Sequence, residues 1–229
     1  MTSTSIRLNK HLALQLGISR READELIASG KVTVNDVPAE LGRPVTPHDA
    51  IRVNGELLGH TTTLRYLALH KPIGYVSSRR QQGDIPTIYS LLAKKFHHLK
   101  PVGRLDKDSS GLLLLTNDGD FAHRMTHPSF RKTKSYEVSL NRDLEPLHQQ
   151  MINDFGVTLE DGPSKLQLSR LSDTHRRDWQ VTMHEGRNRQ IRRTFSALGY
   201  VVVRLHRTEF GPYQLGQLPE GKWQEIKPL

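Results

Sequence analysis

Two aspartates precede a run of leucines in segment 103–119, and they are the sharpest candidates for chemistry in this chain. The segment reads Gly-Arg-Leu-Asp-Lys-Asp-Ser-Ser-Gly, continues with Leu112 to Leu115, and ends in Thr-Asn-Asp-Gly. A polar loop that runs straight into a buried strand holds its side chains in fixed positions. Asp106 and Asp108 therefore stand where a reactive carboxylate can be held rigidly.

Three interpretations of this segment are open from the residues alone. The pattern Asp106-x-Asp108-x-Ser110-Gly111 begins like a calcium-binding loop, but Asn117 occupies the twelfth position, where a bidentate Glu is needed. A phosphotransfer aspartate would need a nucleotide-binding loop, and the chain contains no Walker-type Gly-rich motif. A polar turn that enters a core strand is the third interpretation, and it requires no chemistry.

Composition narrows the class of function. The 229 residues include no cysteine, which excludes disulfides and thiolate metal sites, and the 12 histidines show no His-Glu-x-x-His or comparable ligand spacing. We therefore predict no metal site and no cofactor. Lys and Arg number 33 against 24 Asp and Glu, a formal charge of +9. A basic surface of this size suits a polyanion such as a nucleic acid.

The pattern of hydropathy predicts a soluble protein. The N-terminus carries no apolar run of signal-peptide length, and no segment approaches the roughly 20 apolar residues that a membrane span needs. We expect a cytoplasmic, monomeric protein with no membrane contact.

Residues 1–60 predict a small domain of helices and short strands. A leucine-rich helix ends at Gly17, and Ser19 stands three residues before Glu22, a capping-box signature for a second helix that ends at Gly30. Short strands are predicted at 31–34 and 51–53, each followed by a turn signal, and the polar stretch 59–63 is interpreted as a linker.

The pattern of residues 64–229 predicts a larger α+β domain built on a mixed, mainly antiparallel sheet. The predicted strands follow one another too often for strict βαβ alternation. They cover 66–69, 111–115, 136–140, 165–171, 179–183 and 201–205, and the predicted helices cover 88–96, 144–155 and 189–198.

A basic run lies on the predicted helix 189–198. Ile191 belongs to the apolar face of this helix, and Arg192 lies about 100° from it, at the edge of that face. Arg192 is therefore able to reach a half-buried carboxylate. Arg189 and Arg193 point more outward and are better suited to phosphates.

The first domain resembles the alpha-L RNA-binding module of a small-subunit ribosomal protein and of several RNA-modifying enzymes. The resemblance lies in Arg7-Leu8-Asn9-Lys10, Ser19-Arg20-Arg21-Glu22-Ala23 and Gly30-Lys31-Val32-Thr33-Val34-Asn35. It implies contacts to RNA phosphates and RNA shape. The side chains implied are Arg7, Lys10, Arg20, Arg21 and Lys31.

The second domain carries a series of ordered motifs. They are Lys71-Pro72-x-Gly74, the segment 103–119, Lys134-x-Tyr136, Glu185-Gly186-Arg187-Asn188-Arg189-Gln190-Ile191-Arg192-Arg193 and Leu205-x-Arg207. Their order and spacing resemble those of the RsuA/RluB/RluE/RluF family of ribosomal RNA pseudouridine synthases. With the first domain included, the resemblance covers nearly the whole chain.

The resemblance implies that Asp106 is the nucleophile of a reaction that breaks the N1–C1′ bond of a uridine, turns the uracil and rejoins it through C5. A carboxylate with an unperturbed pKa of about 3.9 needs no activating base, but burial raises such a pKa, so a fixed cation is required. The resemblance assigns that role to Arg192. It implies that Tyr136 stacks on the flipped base and helps to move the C5 proton, with Leu205 packed beneath the site and Arg104 as a support or RNA contact.

The remaining basic motif residues are interpreted as an RNA path. These side chains are Arg131, Lys132, Lys134, Arg187, Arg189 and Arg193.

The expected partner is ribosomal RNA or a pre-ribosomal particle. Segments 156–163 and 185–189 resemble the RluB-like enzymes more than the RsuA-like enzyme, which favours large-subunit (23S) RNA. The alternatives are a small-subunit (16S) enzyme and a non-catalytic RNA-binding assembly factor that keeps this fold. A non-catalytic factor does not need Asp106, Tyr136 and Arg192 together, so the presence of all three residues argues against it.

Overall fold

The chain folds into two compact units, Met1–Arg65 and Tyr66–Leu229, each of which is described by itself. In this computed structural model the described residues are 5–59, 63–79 and 83–229. Part of the predicted linker, 60–62, lies outside them.

The N-terminal unit begins with the two predicted helices, α1 (Leu8–Leu16) and α2 (Arg20–Ala28). Gly17 ends α1 with φ at 69°, in the left-handed region. The predicted capping box forms at α2, because Ser19 Oγ accepts from Glu22 N at 3.1 Å and Ser19 N donates to Glu22 Oε2 at 2.6 Å.

Short antiparallel strands complete this unit. Those in its four-stranded sheet follow the order β3-β2-β5-β6, while β1 pairs with β4. Buried Leu8, Leu12, Ala23 and Ile27 pack against the sheet and form the unit's own core. The strands are β1 (Ile6–Arg7), β2 (Val32–Val34), β3 (Val37–Pro38), β4 (Pro44–Val45), β5 (Ile51–Val53) and β6 (Glu56–Leu57).

The C-terminal unit, Tyr66–Leu229, is built around one large sheet. Its strands are β7 (Tyr66–Lys71), β8 (Lys100–Val102), β9 (Ser110–Thr116), β10 (Lys134–Leu140), β11 (Val157–Leu159), β12 (Gly162–Ser164), β13 (Gln167–Arg170), β14 (Asp178–Met183), β15 (Val202–Phe210), β16 (Tyr213–Gln214) and β17 (Trp223–Glu225). Its α-helices are α3 (Gly119–Thr126), α4 (Pro146–Gln150) and α5 (Gln190–Ser196).

The order of strands in the large sheet is β13-β14-β10-β15-β9-β7-β17, with β8 added on β9 and β16 on β15. The contact between β15 and β9 is parallel, and the others described in this sheet are antiparallel. The expected mixed, mainly antiparallel α+β architecture is confirmed. The β11–β12 hairpin lies off the large sheet.

The leucine run that follows the two aspartates forms β9, and both faces of this strand are buried. Leu113 and Leu115 pack in one hydrophobic cluster with Phe195. Leu112 and Leu114 pack in a second cluster on the other face. A strand buried on both faces has a continuous apolar sequence, which explains the run.

Two predicted helices differ from the structure. Segment 88–96 forms two 3-10 turns, Ile88–Leu91 and Lys94–Phe96, because Leu92 and Ala93 between them are extended. The predicted helix 144–155 starts only at Pro146, whose fixed φ suits a first turn, and it continues as a π-helical turn over Met151–Phe155.

No helix in the described parts of the chain is both long and apolar enough to cross a membrane. Within the same residues, no three His, Asp or Glu side chains come together as a group that could hold a metal ion.

Candidate active site

A cleft of about 280 Å³ lies where the loop before β9 enters the large sheet. Asp106 lines this cleft and is the sole carboxylate among its described lining residues. The cleft brings together a subset of the predicted site residues: Arg104, Asp106, Lys134, Tyr136, Arg187, Arg189 and Leu205.

The apolar part of the cleft is suited to a planar base. Tyr136 on β10 and Leu205 on β15 are 7% and 6% exposed. Met183, Ile191 and Phe210 line the same space. Aromatic and aliphatic side chains in such a recess can hold a base by stacking.

The loop that carries Asp106 is fastened through its backbone by Lys71. The Lys71 ammonium, fully buried, donates to the carbonyl oxygens of Asp106 at 2.9 Å, Ser109 at 2.7 Å and Pro72 at 3.0 Å. Burial lowers the pKa of Lys71 to about 8, and the carboxylates of Asp106 and Asp108 oppose that shift. Lys71 was not predicted as a site residue, although the Lys71-Pro72-x-Gly74 motif was its signal.

Ser77 fastens the same loop one residue earlier. Its hydroxyl donates to Leu105 O at 2.9 Å and accepts from Leu105 N at 3.2 Å. Both contacts are buried. Sequence reasoning missed Ser77, because it carries no motif of its own and meets the loop only in the folded sheet.

Arg189, and not Arg192, contacts the carboxylate of Asp106. Arg189 Nη1 lies 3.4 Å from Asp106 Oδ2, and its two terminal nitrogens donate to the Asp108 carboxylate at 3.0 and 2.9 Å. Arg189 is more exposed than Arg192, as predicted, but it is not part of the helix, because it precedes α5 in a left-handed conformation with φ of 45°. It therefore turns toward the loop.

Arg192 is half-buried at the edge of the apolar face of α5, as predicted, but its partner is Asp108. It donates to Asp108 O and Val202 O, both at 2.7 Å. Its Nε also lies 3.3 Å from Asp108 Oδ2, an ion pair without hydrogen-bond geometry. The expected direct pairing of Arg192 with Asp106 is corrected accordingly, since the Asp106 carboxyl lies in the cleft and that of Asp108 lies against α5.

Asp108 is thus the counter-ion for two arginines. The hydrogen bonds from Arg189 are the main reason that the pKa of Asp108 is lowered, and the charge of Arg192 contributes. Asp108 pairs with both guanidinium groups. Among the described residues, the Asp106 carboxylate forms one ion pair, the 3.4 Å contact with Arg189.

Arg187 and Arg193 bind protein oxygens at the β11–β12 hairpin. Arg187 Nη1 donates to Asp161 Oδ1 at 2.8 Å and to Gly162 O at 3.0 Å. Arg193 reaches the two oxygens of the same Asp161 carboxylate at 3.1 and 2.7 Å. These donors hold the hairpin against α5, and phosphate contacts by the two arginines stay a prediction.

Two cations, Lys134 and Arg207, line the cleft beside the Phe210 ring. Arg207 is 2% exposed and donates from Nε to Leu112 O at 2.8 Å. Arg207 and Lys134 both lie over the Phe210 ring, at 4.9 and 5.5 Å from its centroid. Burial lowers the pKa of Lys134 to about 8, and the charge of Arg207 adds to this effect. The lining is therefore electropositive and suits an anionic substrate.

The other predicted RNA contacts lie outside the cleft. Lys132 is half-buried in the segment before β10 and does not line the cleft. In the N-terminal unit Arg7, Arg20, Arg21 and Lys31 are exposed, and Lys10 is half-buried.

Residues 65–197 match the family model of RNA pseudouridylate synthases, and residues 6–51 match that of the S4 domain. The chain belongs to the RNA pseudouridylate synthase family. It is therefore an isomerase with an N-terminal RNA-binding S4 domain, which confirms the predicted family, RNA-binding module and enzymatic class.

Full-length relatives agree with this assignment to the pseudouridylate synthases. The ribosomal large subunit pseudouridine synthase B of Bacillus subtilis is 39% identical, over 97% of this chain and 92% of its own. The ribosomal small subunit pseudouridine synthase A of Pasteurella multocida is 38% identical, over 96% of each chain. A solved pseudouridylate synthase matches at 32% identity with a TM-score of 0.70, over 97% of this chain and 96% of the other.

Replacing Arg192 with glutamine is expected to lower the single-turnover rate of this pseudouridylate synthase at least about tenfold, because the variant gives up two charge-assisted hydrogen bonds to the Asp106 loop and β15. Arg189→Gln is the matched control. Its side chain is 42% exposed, so the decrease should stay within about fivefold. A larger effect at Arg189 than at Arg192 would show that the contacts of Arg189 with the Asp106 and Asp108 carboxylates limit the rate more than the backbone bonds of Arg192 do.

The S4 domain supports a separate prediction about RNA affinity. A triple Arg20→Gln, Arg21→Gln, Lys31→Gln variant should reduce the slope of log Kd against log salt by about 2–3, since each phosphate contact contributes roughly 0.7–0.9. Arg52→Gln is the control, because Arg52 is already paired with Asp36 at 3.2 Å. Filter binding across a salt series measures both slopes, and an unchanged slope in the triple variant would remove these residues from the RNA interface.

Proposed function

We propose that this enzyme converts a uridine of ribosomal RNA to pseudouridine, with Asp106 as the nucleophile and large-subunit (23S) RNA as the substrate. The observation that carries the proposal is the cleft itself. Its single described carboxylate, Asp106, lies in one recess with Tyr136 and Leu205. A flipped base bound there is held between apolar groups, with the carboxylate at its edge.

The isomerisation balances within the nucleotide. The N1–C1′ bond breaks, the uracil turns while it is held in the recess, and a C5–C1′ bond forms. The C5 proton then leaves and N1 gains a proton, so no atom is added or removed. Asp106 supplies the electron pair that captures the intermediate, and it takes that pair back when the adduct breaks down to pseudouridine, so the carboxylate is regenerated. Tyr136 holds the turning base and helps to move the C5 proton.

The energetic cost of flipping is offset in the cleft. Removing a base from its stack costs a few kcal/mol, and stacking on an aromatic ring returns about 1–3 kcal/mol. The half-buried Lys134 and the buried Arg207 attract the phosphates that accompany the base. Arg104, which is exposed and lines the cleft, is placed to contact RNA at its rim.

The choice of ribosomal RNA is supported by the names of the similar proteins and by the S4 domain. Large-subunit RNA is supported by segments 156–163 and 185–189, which resemble the RluB-like enzymes more than the RsuA-like enzyme. Small-subunit (16S) RNA is the second candidate, because the Pasteurella multocida relative named for the small subunit matches over the full chain at 38% identity. The substrate is either the free RNA or a pre-ribosomal particle in the cytoplasm, and the enzyme acts on it as a monomer.

A pseudouridine map of both ribosomal RNAs tests this proposal. Unmodified transcripts and partly assembled particles are incubated with wild-type enzyme or with Asp106→Ala. One new site in 23S RNA, made only by the wild-type enzyme, is the expected result. A new site in 16S RNA would reverse the subunit, and no site in either RNA or particle would overturn ribosomal RNA as the substrate.

A further inference from the structure

A second cavity, of about 380 Å³, adjoins the active-site cleft. Met183, at the end of β14, lines both cavities, so the two share a wall. The isomerisation itself makes no use of this second cavity. Its other lining side chains include Pro128, Arg131, Lys165, Gln167 and His184.

The walls of the second cavity are held in place before any ligand binds. Arg131 ends the 3-10 turn Pro128–Phe130 in a left-handed conformation with φ of 44°, which residues other than Gly rarely adopt. His184 Nδ1 lies 3.3 Å from both Arg131 O and Thr133 Oγ1. Lys165 Nζ donates to Asp154 O at 2.9 Å. Such a site does not have to be ordered by its ligand.

The charge of the second cavity favours a nucleic acid. Arg131 and Lys165 both line it, and within the described residues neither forms an ion pair. Glu185 is the one carboxylate among the described lining residues. Its Oε1 accepts from Gln190 and, at 3.3 Å, from Arg187, so this charge is already compensated. The cavity therefore keeps an excess of positive charge.

The remaining groups suit a nucleobase. Met183 and Pro128 offer apolar surface on which a ring can lie. The Gln167 amide can donate and accept hydrogen bonds, and His184 keeps its Nε2 for a base while Nδ1 is held by protein oxygens. The edges of unpaired bases require such groups. A volume of about 380 Å³ also falls in the range of small-ligand sites.

We propose that the second cavity binds the base of the nucleotide that adjoins the target uridine in the same RNA strand, with Arg131 and Lys165 on its phosphate. The proposal rests on the proposed function, since it takes a uridine of an RNA strand as the occupant of the first cleft. The RNA strand continues from the uridine in the first cleft to the adjoining nucleotide. The second cavity lies next to that cleft, because both are lined by Met183. The enzyme then selects its target partly by an unpaired neighbour.

A tethered-cleavage experiment tests the position of the neighbour. The chain contains no cysteine, so Gln167→Cys in an Asp106→Asn background carries an iron chelate at one site only. Cleavage is expected within about two nucleotides of the uridine that the wild-type enzyme modifies. Leu147→Cys is the control, because Leu147 is 63% exposed and lines neither cavity. Cleavage only at remote nucleotides, or equally from both tethers, would overturn the proposal.

A cycle of RNA and protein changes tests the base contact itself. For an RNA that lacks the base next to the target, kcat/KM with the wild-type enzyme should fall at least tenfold. A Gln167→Ala, His184→Ala variant should have a kcat/KM on intact RNA that is reduced by a similar factor. On the abasic RNA, the kcat/KM of this variant should be little lower than its value on intact RNA. If loss of the base lowers kcat/KM by the same factor for the wild-type enzyme and for the variant, the second cavity does not bind that base and the proposal is wrong. Failure of the wild-type enzyme to modify intact RNA would count against the proposed function instead, and unchanged thermal unfolding of the variant shows that it is folded.

Discussion

Asp106→Asn is expected to reduce pseudouridine formation roughly 10⁴-fold or more, since removal of a nucleophile commonly costs this much. The amide has nearly the shape of the carboxylate but no charge with which to capture the intermediate. RNA affinity should change less than about threefold, because asparagine removes only the 3.4 Å ion pair with Arg189, and an exposed pair of this kind has a small energy.

Single-turnover assays with the mapped RNA measure the rate, and gel shift measures Kd. Asp106→Ala serves as the control, because alanine, unlike asparagine, cannot revert to aspartate by deamidation. A rate within tenfold of wild type for the alanine variant would show that Asp106 is not the nucleophile. A large decrease in affinity in both variants would instead place Asp106 in RNA binding.

Gly111→Ala is expected to lower the free energy of unfolding of the catalytic unit by about 3 kcal/mol or more. Gly111 has φ of 107°, and an added Cβ would lie 2.2 Å from the carbonyl oxygen of Arg207 and 2.5 Å from its nitrogen. Those atoms belong to β15, which pairs in parallel with β9 at this residue. The alanine therefore pushes the two strands apart directly behind the Asp106 loop.

Thermal unfolding followed by circular dichroism measures this effect, with an expected fall in Tm of roughly 10 °C. Gly119→Ala is the matched control, because Gly119 begins α3, has no positive φ and would place its Cβ in open space. Alanine favours a helix, so the control should be as stable as wild type or slightly more so. A Gly111→Ala protein with the wild-type Tm would mean that β9 and β15 separate at little cost.

Local signals in the sequence predicted most of the fold. The capping box at Ser19 and the glycine at the end of α1 depend on neighbouring residues only, and both formed. The pattern in 88–96 misled because Ile88, Leu92 and Phe96 recur with helical spacing and are all buried. In the structure Ile88 and Phe96 reach the core from two separate turns, and Leu92 reaches it from the extended residues between them. Helix α3 was missed, although Asp118 carries an N-cap signal and its side chain accepts from Asp120 N and Phe121 N.

The site was predictable only in part. Motif resemblance singled out Asp106, Tyr136 and Leu205, and the structure gathers them in one cleft. The pairing of Arg189 and Arg192 with Asp108 depends on how α5 meets a loop more than 80 residues away, and no local pattern encodes that contact. The buried Lys71 and Arg207 share this property, since Lys71 binds carbonyl oxygens of the Asp106 loop and Arg207 binds one in β9, both distant in the sequence.

The loop around Asp106 is fastened by bonds to its carbonyl oxygens, donated by Lys71, Ser77 and Arg192. These bonds are indifferent to which side chain stands at position 106, so the loop should accept a different reactive group there and keep its shape. Because the chain has no native thiol, an Asp106→Cys protein would carry a unique sulfhydryl in the cleft. Such a protein could be joined by a disulfide to an RNA bearing a thiol-modified uracil, which would make the enzyme a covalent trap for the RNAs it recognises.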